Sequence, residues 1–400
     1  MNPFQFAGTP AISFGSGTAP KLAEALPEGT RRILFVMGSF ERTNAEAWSK
    51  IAAALAAKGI AYDIAHIHQE PTVEWVDEVA VRYRDAASPG RPQPFDAVVA
   101  IGGGSAMDAG KAVSAMLCTE PGDTVLHYFE GQPDYRPHSG RKVFFVAVPT
   151  TSGTGSEMTK NAVISISGGF KRSIRHDRFI PDAAVVDPQL TISCPAHVKA
   201  ASGLDALTQL IESYVSVKSS PLTDALALSG IEAAAKSLIP ICTDAADDEA
   251  LHAQMAYASM ISGITLAHAG LGLVHGFAAP LGGSFPIPHG VICGTLLAET
   301  TKRVVRHLQN GTDAASALGL AKYAKVGAVV TGHPASDVPG CCDGLIAALE
   351  EWTERLQLPR LDRYGVNARN IDPVLAATDN KLSPAQLDRT VMREILLARM

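Results

Sequence analysis

Apolar residues in the first half of the chain fall in short unbroken runs. Ile33-Leu34-Phe35-Val36 ends at Gly38, Asp96 to Ile101 ends at three glycines, Val143 to Val148 ends at Pro149, and Ala183 to Val186 ends at Asp187-Pro188. A further run lies near Tyr62-Asp63-Ile64, and the alanine-rich stretch 44–58 reads as a helix. Continuous β-rich runs alternating with helices predict a mostly parallel sheet covered on both faces, since a strand buried on both sides has no polar face. From about Cys194 the pattern changes. Residues 203–217, 222–239, 249–270, 290–309, 313–330, 341–355 and 384–398 have helical length and periodicity, punctuated by Pro221, Pro240, Pro280, Pro286, Pro288 and Pro384. The expected architecture is a doubly wound α/β domain over residues 1–193 and an all-helical domain over 194–400. A ligand cleft is expected at their junction, facing the carboxyl ends of the strands.

Composition narrows the function. A net charge of −6 leaves no basic excess to neutralise phosphates, so neither nucleic acid nor an anionic membrane is an expected partner. The longest basic cluster, Lys171-Arg172 with Arg175, is too short to form a patch. None of the six cysteines forms a CxxC pair, and most sit in apolar contexts where a thiol acts as a small hydrophobe. The first residues lack the pattern of a signal peptide, and no uninterrupted apolar stretch has the length of a membrane span. A cytoplasmic enzyme of small metabolites fits this balance.

Gly102-Gly103-Gly104-Ser105 follows a buried strand and opens a helix that contains Asp108 and Lys111. Backbone without Cβ lets a pyrophosphate approach closely, and the free N–H groups and dipole of a helix start favour its charge. A plain strand–helix turn would need only one glycine. The G-x-G-x-x-G fingerprint fails at its third glycine. A Walker A loop fails as well, because Ser105 stands where its first glycine belongs and Ala112 follows Lys111. A second polar turn, Pro149 to Glu157, offers Thr150 and Thr151 to a cofactor, or forms a helix start with Thr154 and Glu157 as a capping box.

Asp205 and Gln209 are four residues apart and so share one helix face. His275 and His289, the latter in Pro288-His289-Gly290, follow in the helical half. A carboxylate and two imidazoles, with an amide oxygen as fourth donor, can hold a divalent cation that polarises a carbonyl or acidifies an alcohol. Spacing alone favours the plainer reading, in which these are ordinary core or surface residues.

Together these residues resemble the iron-containing (group III) alcohol dehydrogenase family, which shares its fold with dehydroquinate synthase. The similarity begins at Phe14-Gly15-Ser16-Gly17 and runs through Gly102 to Lys111, Pro149-Thr150-Thr151, Asp187-Pro188 and Gly203 to Leu207. It continues through Leu273-Val274-His275-Gly276 and Pro288-His289-Gly290 to Asn380-Lys381-Leu382-Ser383. The resemblance implies Fe²⁺ or Zn²⁺ held by Asp205, His275 and His289, with Gln209 in the fourth position, and His275 and His289 as catalytic groups. It implies NAD or NADP contacts at Gly104, Ser105, Thr150, Thr151, Asn161 and Lys171, and the candidate cofactor site also takes in Gly38, Gly103 and Asp108. It also implies a small alcohol or aldehyde as substrate and a homo-oligomer, dimeric or larger, to which the apolar N-terminal segment could lend an edge strand.

Three positions depart from the family pattern. Gln209 replaces a histidine, which weakens that donor. Ala279 replaces a histidine of the proton relay; His268, seven residues before His275 and read as two helical turns along the same face, is the candidate substitute. Gly38 replaces a carboxylate that would bind the adenosine ribose, which with nearby Arg42 favours NADP. These departures keep two alternatives open: a metal-independent reductase of the maleylacetate reductase type, and a nucleotide-binding protein without catalysis.

Overall fold

The computed structural model describes residues 3–84, 95–166 and 170–400. The chain divides into two compact units. One comprises Ala7–Thr151 and Gly155–Ser193; the other is Cys194–Met400, joined by the segment ending at Phe6 and by Ser152–Thr154.

In the α/β unit, six strands form one sheet: β1 (Ala11–Phe14), β2 (Arg32–Met37), β3 (Ala61–His66), β4 (Ala97–Gly102), β5 (Phe144–Pro149) and β8 (Ala183–Val186). Their order is β1-β8-β5-β4-β2-β3 and every pairing is parallel. Alternate residues of β2 serve opposite faces. Ile33, Phe35 and Met37 pack under α1 (Phe40–Thr43) and α2 (Ala45–Ala57), whereas Leu34 and Val36 pack with α3 (Val73–Arg84) and α4 (Gly104–Met116). Both faces are therefore apolar, which is why these strands read as unbroken runs. The unit closes with α5 (Gln189–Ile192). The N-terminal segment forms the edge strand of its own sheet, with Ala11 to Phe14 in register with Ala183 to Val186.

Two strands escape the sequence pattern. β6 (Asn161–Ile166) and β7 (Phe170–Arg175) pair as an antiparallel hairpin whose Ala162, Ile164 and Ile174 pack on α3 and α4. The charges of Lys171, Arg172 and Arg175 disguise β7, because only one side of this ribbon is apolar.

The second unit is helical: α6 (Ala196–Val215), α7 (Pro221–Cys242), α8 (Glu249–Ala269), α9 (Leu273–Ser284), α10 (His289–Asn310), α11 (Ala314–Thr331), α12 (Val338–Arg355), α13 (Asp372–Ala377) and α14 (Arg389–Ala398). Side-chain caps set several starts. Ser220 and Thr223 form a capping box on α7, and Asp248, Asp313, Asp337 and Asp388 cap α8, α11, α12 and α14. The cap at Asp388 explains why the last helix begins at 389 rather than 384. Pro240 and Pro280 lie inside helices instead of ending them, and Pro280 with Gly276, Gly282 and Gly283 hides α9 from periodicity. Among the described residues α7 is the one continuous helix long and apolar enough by composition to cross a membrane. It is a core helix, with Ile231, Ala234 and Leu238 fully buried.

Candidate active site

Within the α/β unit, β2 is bordered by β3 on one side and β4 on the other, so the chain changes winding direction between β2 and β4. Ligands bind at the carboxyl ends of strands at such a switch point. A cleft of about 370 Å³ opens there, lined among others by Gly38, Gly103, Gly104, Ser105 and Thr150. Close approach dictates the first two of the three glycines. Gly102 has φ 153°, and a Cβ there would sit 2.7 Å from Ala106 Cβ; one at Gly103 would lie 3.2 Å from Thr151 Oγ1. Gly110 lets α4 pack on the sheet, since a Cβ would meet Ala100 Cβ at 2.7 Å and the Phe145 ring at 2.9 Å. It does the work that the third glycine of the dinucleotide fingerprint does elsewhere. A larger cleft of about 620 Å³ lies toward the starts of β5 and β8, lined by Arg141, Lys142 and Asp182, away from the glycine turn.

Behind the turn lies a buried polar network. Lys111 Nζ donates to Ser156 O (3.0 Å), Ser156 Oγ (3.2 Å), Thr159 Oγ1 (3.0 Å) and Asn161 O (2.8 Å). Burial pulls its pKa down to about 8, against the nearby charges of Asp108 and Glu157. Asp108 accepts from Ser156 Oγ (2.6 Å) and Val163 N (3.0 Å), and burial raises its pKa. Asp108 and the Asn161 carbonyl thus brace the hairpin against α4. Lys171 donates to Glu70 at 2.7 Å, and Glu70 lines the 370 Å³ cleft. Arg42 is exposed on α1. The turn Ser156–Met158 is a single 3-10 turn entered through Gly155 in the left-handed region, so Gly155 rather than Thr154 stands at its cap position.

In the helical unit four donor atoms converge, from Asp205, His275, His289 and Cys293, all within 4.8 Å of one another. Two glycines make this possible. A Cβ on Gly290 would lie 2.6 Å from the Ala201 carbonyl oxygen, so α10 approaches α6 backbone to backbone. One on Gly276 would lie 1.9 Å from the Asp379 carbonyl oxygen, which fixes α9 against the segment before α14. The histidine-glycine pairs therefore place each imidazole where a larger neighbour would hold the helices apart.

Asp205 Oδ1 lies 3.4 Å from His275 Nε2 and 3.6 Å from His289 Nε2. This oxygen is buried and has no hydrogen-bond partner. Glu212, two turns beyond Asp205 on α6, accepts from His275 Nδ1 at 2.7 Å and from Val274 N at 2.6 Å. One carboxylate thus caps α9 and leaves the His275 Nε2 lone pair for the cluster, the carboxylate–imidazole arrangement common behind metal ligands. Burial disfavours the His275 cation, but Cys293, Asp205 and Glu212 outweigh it and hold its pKa well above the ordinary value. Cys293 and Asp205 raise His289 to about 9. Burial works against the Asp205 carboxylate, yet His289 and His275 keep its pKa below normal. The cluster attracts positive charge, and its orphaned carboxylate oxygen and facing imidazole nitrogens fit a divalent cation.

Residues 9–188 match the family model of the iron-containing alcohol dehydrogenases, and residues 199–400 match the model of that family's C-terminal region. The chain belongs to the iron-containing alcohol dehydrogenase family. Long-chain-alcohol dehydrogenase 1 of Geobacillus thermodenitrificans is 38% identical over 234 residues, 57% of this chain and 55% of that one. The match thus spans little more than half the length of that relative. The probable alcohol dehydrogenase EutG of Escherichia coli is 33% identical over 297 residues, 73% of this chain and 71% of its own. A crystal structure of a 1,3-propanediol oxidoreductase aligns with a TM-score of 0.83 at 26% identity, covering 100% of both chains.

Against the family pattern, the structure brings Asp205, His275 and His289 together. Gln209 is buried, and its Oε1 accepts from Ser262 Oγ at 2.6 Å. His268 does not share a helix with His275. Gly270 (φ 70°, ψ −174°) ends α8, and α9 departs at 97°. The His268 ring stacks on Phe6 with centroids 3.8 Å apart, and its Nδ1 donates to Ile264 O at 2.7 Å. Ala279 is exposed one turn beyond His275. Sequence reasoning missed Glu212 and Cys293. Each had a helical signal: Glu212 is seven residues from Asp205, and Cys293 four residues from His289.

Proposed function

We propose that this protein is a metal-dependent, NAD(P)-linked alcohol dehydrogenase or aldehyde reductase acting on a small alcohol–carbonyl pair. The observation that carries the reading is the unpartnered, buried Asp205 Oδ1 facing two imidazole nitrogens at 3.4 and 3.6 Å. An empty structural cluster would leave such an oxygen uncompensated at a cost of about 1–3 kcal/mol, whereas a bound cation satisfies it. Asp205, His275 and His289 would hold that cation, and His289, half exposed, keeps one side of the cluster open. A bound divalent cation supplies Lewis-acid polarisation of the substrate oxygen. The protein's own contribution is positioning: Glu212 orients His275 through Nδ1, and the glycine turn with Gly38, Ser105 and Thr150, and with Thr151 packed on Gly103, would seat the cofactor. Gly38 brings no carboxylate to the ribose side of the cleft, which favours NADP acceptance alongside NAD.

The similarity to named alcohol dehydrogenases and to the 1,3-propanediol oxidoreductase supports the substrate class. The test is His289→Ala. The reading expects kcat/KM for small aldehydes to fall by roughly 10²–10³-fold or more, the scale of several kcal/mol of lost charge stabilisation. NAD(P)H binding, followed by fluorescence titration, should stay within a factor of two. Equal loss of both would detach His289 from the chemistry.

A further inference from the structure

Cys293 takes no part in the family's donor pattern, yet its sulfur completes the geometry of this cluster. Its Sγ lies 3.6 Å from His275 Nε2 and 3.6 Å from His289 Nε2, and the residue is fully buried. The edges of a tetrahedron built on metal–ligand distances of about 2.0–2.3 Å are roughly 3.3–3.8 Å long. Four of the six donor–donor separations, at 3.4, 3.6, 3.6 and 3.6 Å, fall in that interval, and all six are within 4.8 Å. Gln209, by contrast, has its amide oxygen engaged by the Ser262 hydroxyl at 2.6 Å.

Building on the proposed function, we propose that the resident cation is held by Asp205 Oδ1, His275 Nε2, His289 Nε2 and the Cys293 thiolate, with Gln209 left outside the donor set. One helical turn from His289 on α10, Cys293 supplies the donor that Gln209 on α6 supplies poorly. The chemical consequence is a change of metal. A thiolate is a soft donor that favours zinc and cobalt, and replacing imidazole by thiolate makes two of four donors anionic. On cation binding Cys293, His275 and His289 release to solvent the protons they hold at Sγ and Nε2, and the freed lone pairs form the bonds to the metal; nothing is oxidised. The site therefore selects zinc over ferrous iron, and its bound cation is a milder Lewis acid than one held by a single carboxylate and imidazoles.

The test uses the full-length protein, stripped with a chelator and reloaded with one equivalent of Co²⁺, then in parallel with Zn²⁺ or Fe²⁺. Wild type should show the near-ultraviolet sulfur-to-cobalt charge-transfer band, and zinc-edge X-ray absorption should require a sulfur neighbour. Cys293→Ser should lose the band and weaken zinc binding by more than the roughly 10- to 100-fold typical of a lost outer-shell partner, with Fe²⁺ affinity much less affected. Gln209→Ala should keep the band. Should Cys293→Ser fail to fold, the wild-type absorption and zinc-edge data decide by themselves. A cobalt protein without sulfur ligation, or a band that survives Cys293→Ser, overturns the inference and leaves the proposed function standing. Failure of wild type to retain any cation, or retention by Asp205→Ala, overturns both.

Discussion

Lys111 of the α/β unit and Asp205 of the helical unit are both charged, both buried and both surrounded by polar partners, but their hydrogen bonding is opposite. Lys111 Nζ reaches four oxygens between 2.8 and 3.2 Å, more acceptors than its three N–H donors can serve singly. Asp205 Oδ1 faces two imidazole nitrogens at 3.4 and 3.6 Å and is hydrogen-bonded to neither. The first arrangement is closed and has no capacity left for a ligand. The second is open, and its spacing suits an ion standing between the groups. Completeness of hydrogen bonding, more than charge or burial, separates a group that holds the fold from one that waits for a ligand.

The sharpest break of this comparison is Lys111→Met. If Lys111 is structural, its loss strands the carbonyls of Ser156 and Asn161 and leaves buried Asp108 without its nearby cation. Removing one partner of such a network costs about 3–5 kcal/mol. Urea unfolding should register that loss, while cation content per folded chain stays at the wild-type level. A variant with unchanged stability and impaired cofactor binding would move Lys111 from the scaffold into the site.

The same network gives the α/β unit a pH signature. Burial raises the Glu157 pKa from 4.5 to about 7, against the opposing charge of Lys111. Between those values the folded protein keeps a proton that the unfolded chain has released. The stabilisation from this group is therefore complete below pH 4.5 and is lost as pH rises through 7, a change on the order of 3 kcal/mol. Glu157→Gln, a permanent mimic of the protonated form, should match wild type near pH 4.5 and exceed it by up to that amount at pH 8. Parallel stability–pH curves for the two proteins would show that Glu157 is not held neutral.

The two sites also differ in how far they could be read from sequence. The glycine turn is contiguous: β4, Gly102 to Gly104 and α4 follow one another, so strand pattern, breaker and helix start point to one place. Even so, the packing role of Gly110 was invisible, because the contacts that require it come from Ala100 and Phe145. The donor cluster is assembled from α6, α9 and α10. Family resemblance supplied Asp205, His275 and His289, but α9 was hidden by its glycines and Pro280, and His268 was placed on a helix that Gly270 ends. Cys293 read as a small hydrophobe, which its burial fits and its neighbours do not. Local periodicity reports which face of a helix is apolar; it cannot report which other helix that face meets.

The smallest effect tests the link between scaffold and open site. Glu212 satisfies the start of α9 through Val274 N at 2.6 Å and orients His275 through Nδ1 at 2.7 Å. A glutamine in its place has one oxygen for two donors, and its NH₂ group would face either an N–H or the imidazole. Glu212→Gln should therefore lower cation affinity by roughly 10- to 100-fold, equivalent to about 1.4–2.7 kcal/mol. Cation content at saturating metal should stay at one per chain, because all four cluster donors remain. Competition titration against a chelator measures the shift. Glu212→Asp, which keeps the charge on a shorter stem, should recover part of the affinity. If both variants bind as tightly as wild type, helix packing alone orients His275, and the satisfied carboxylate would have no part in preparing the unsatisfied one.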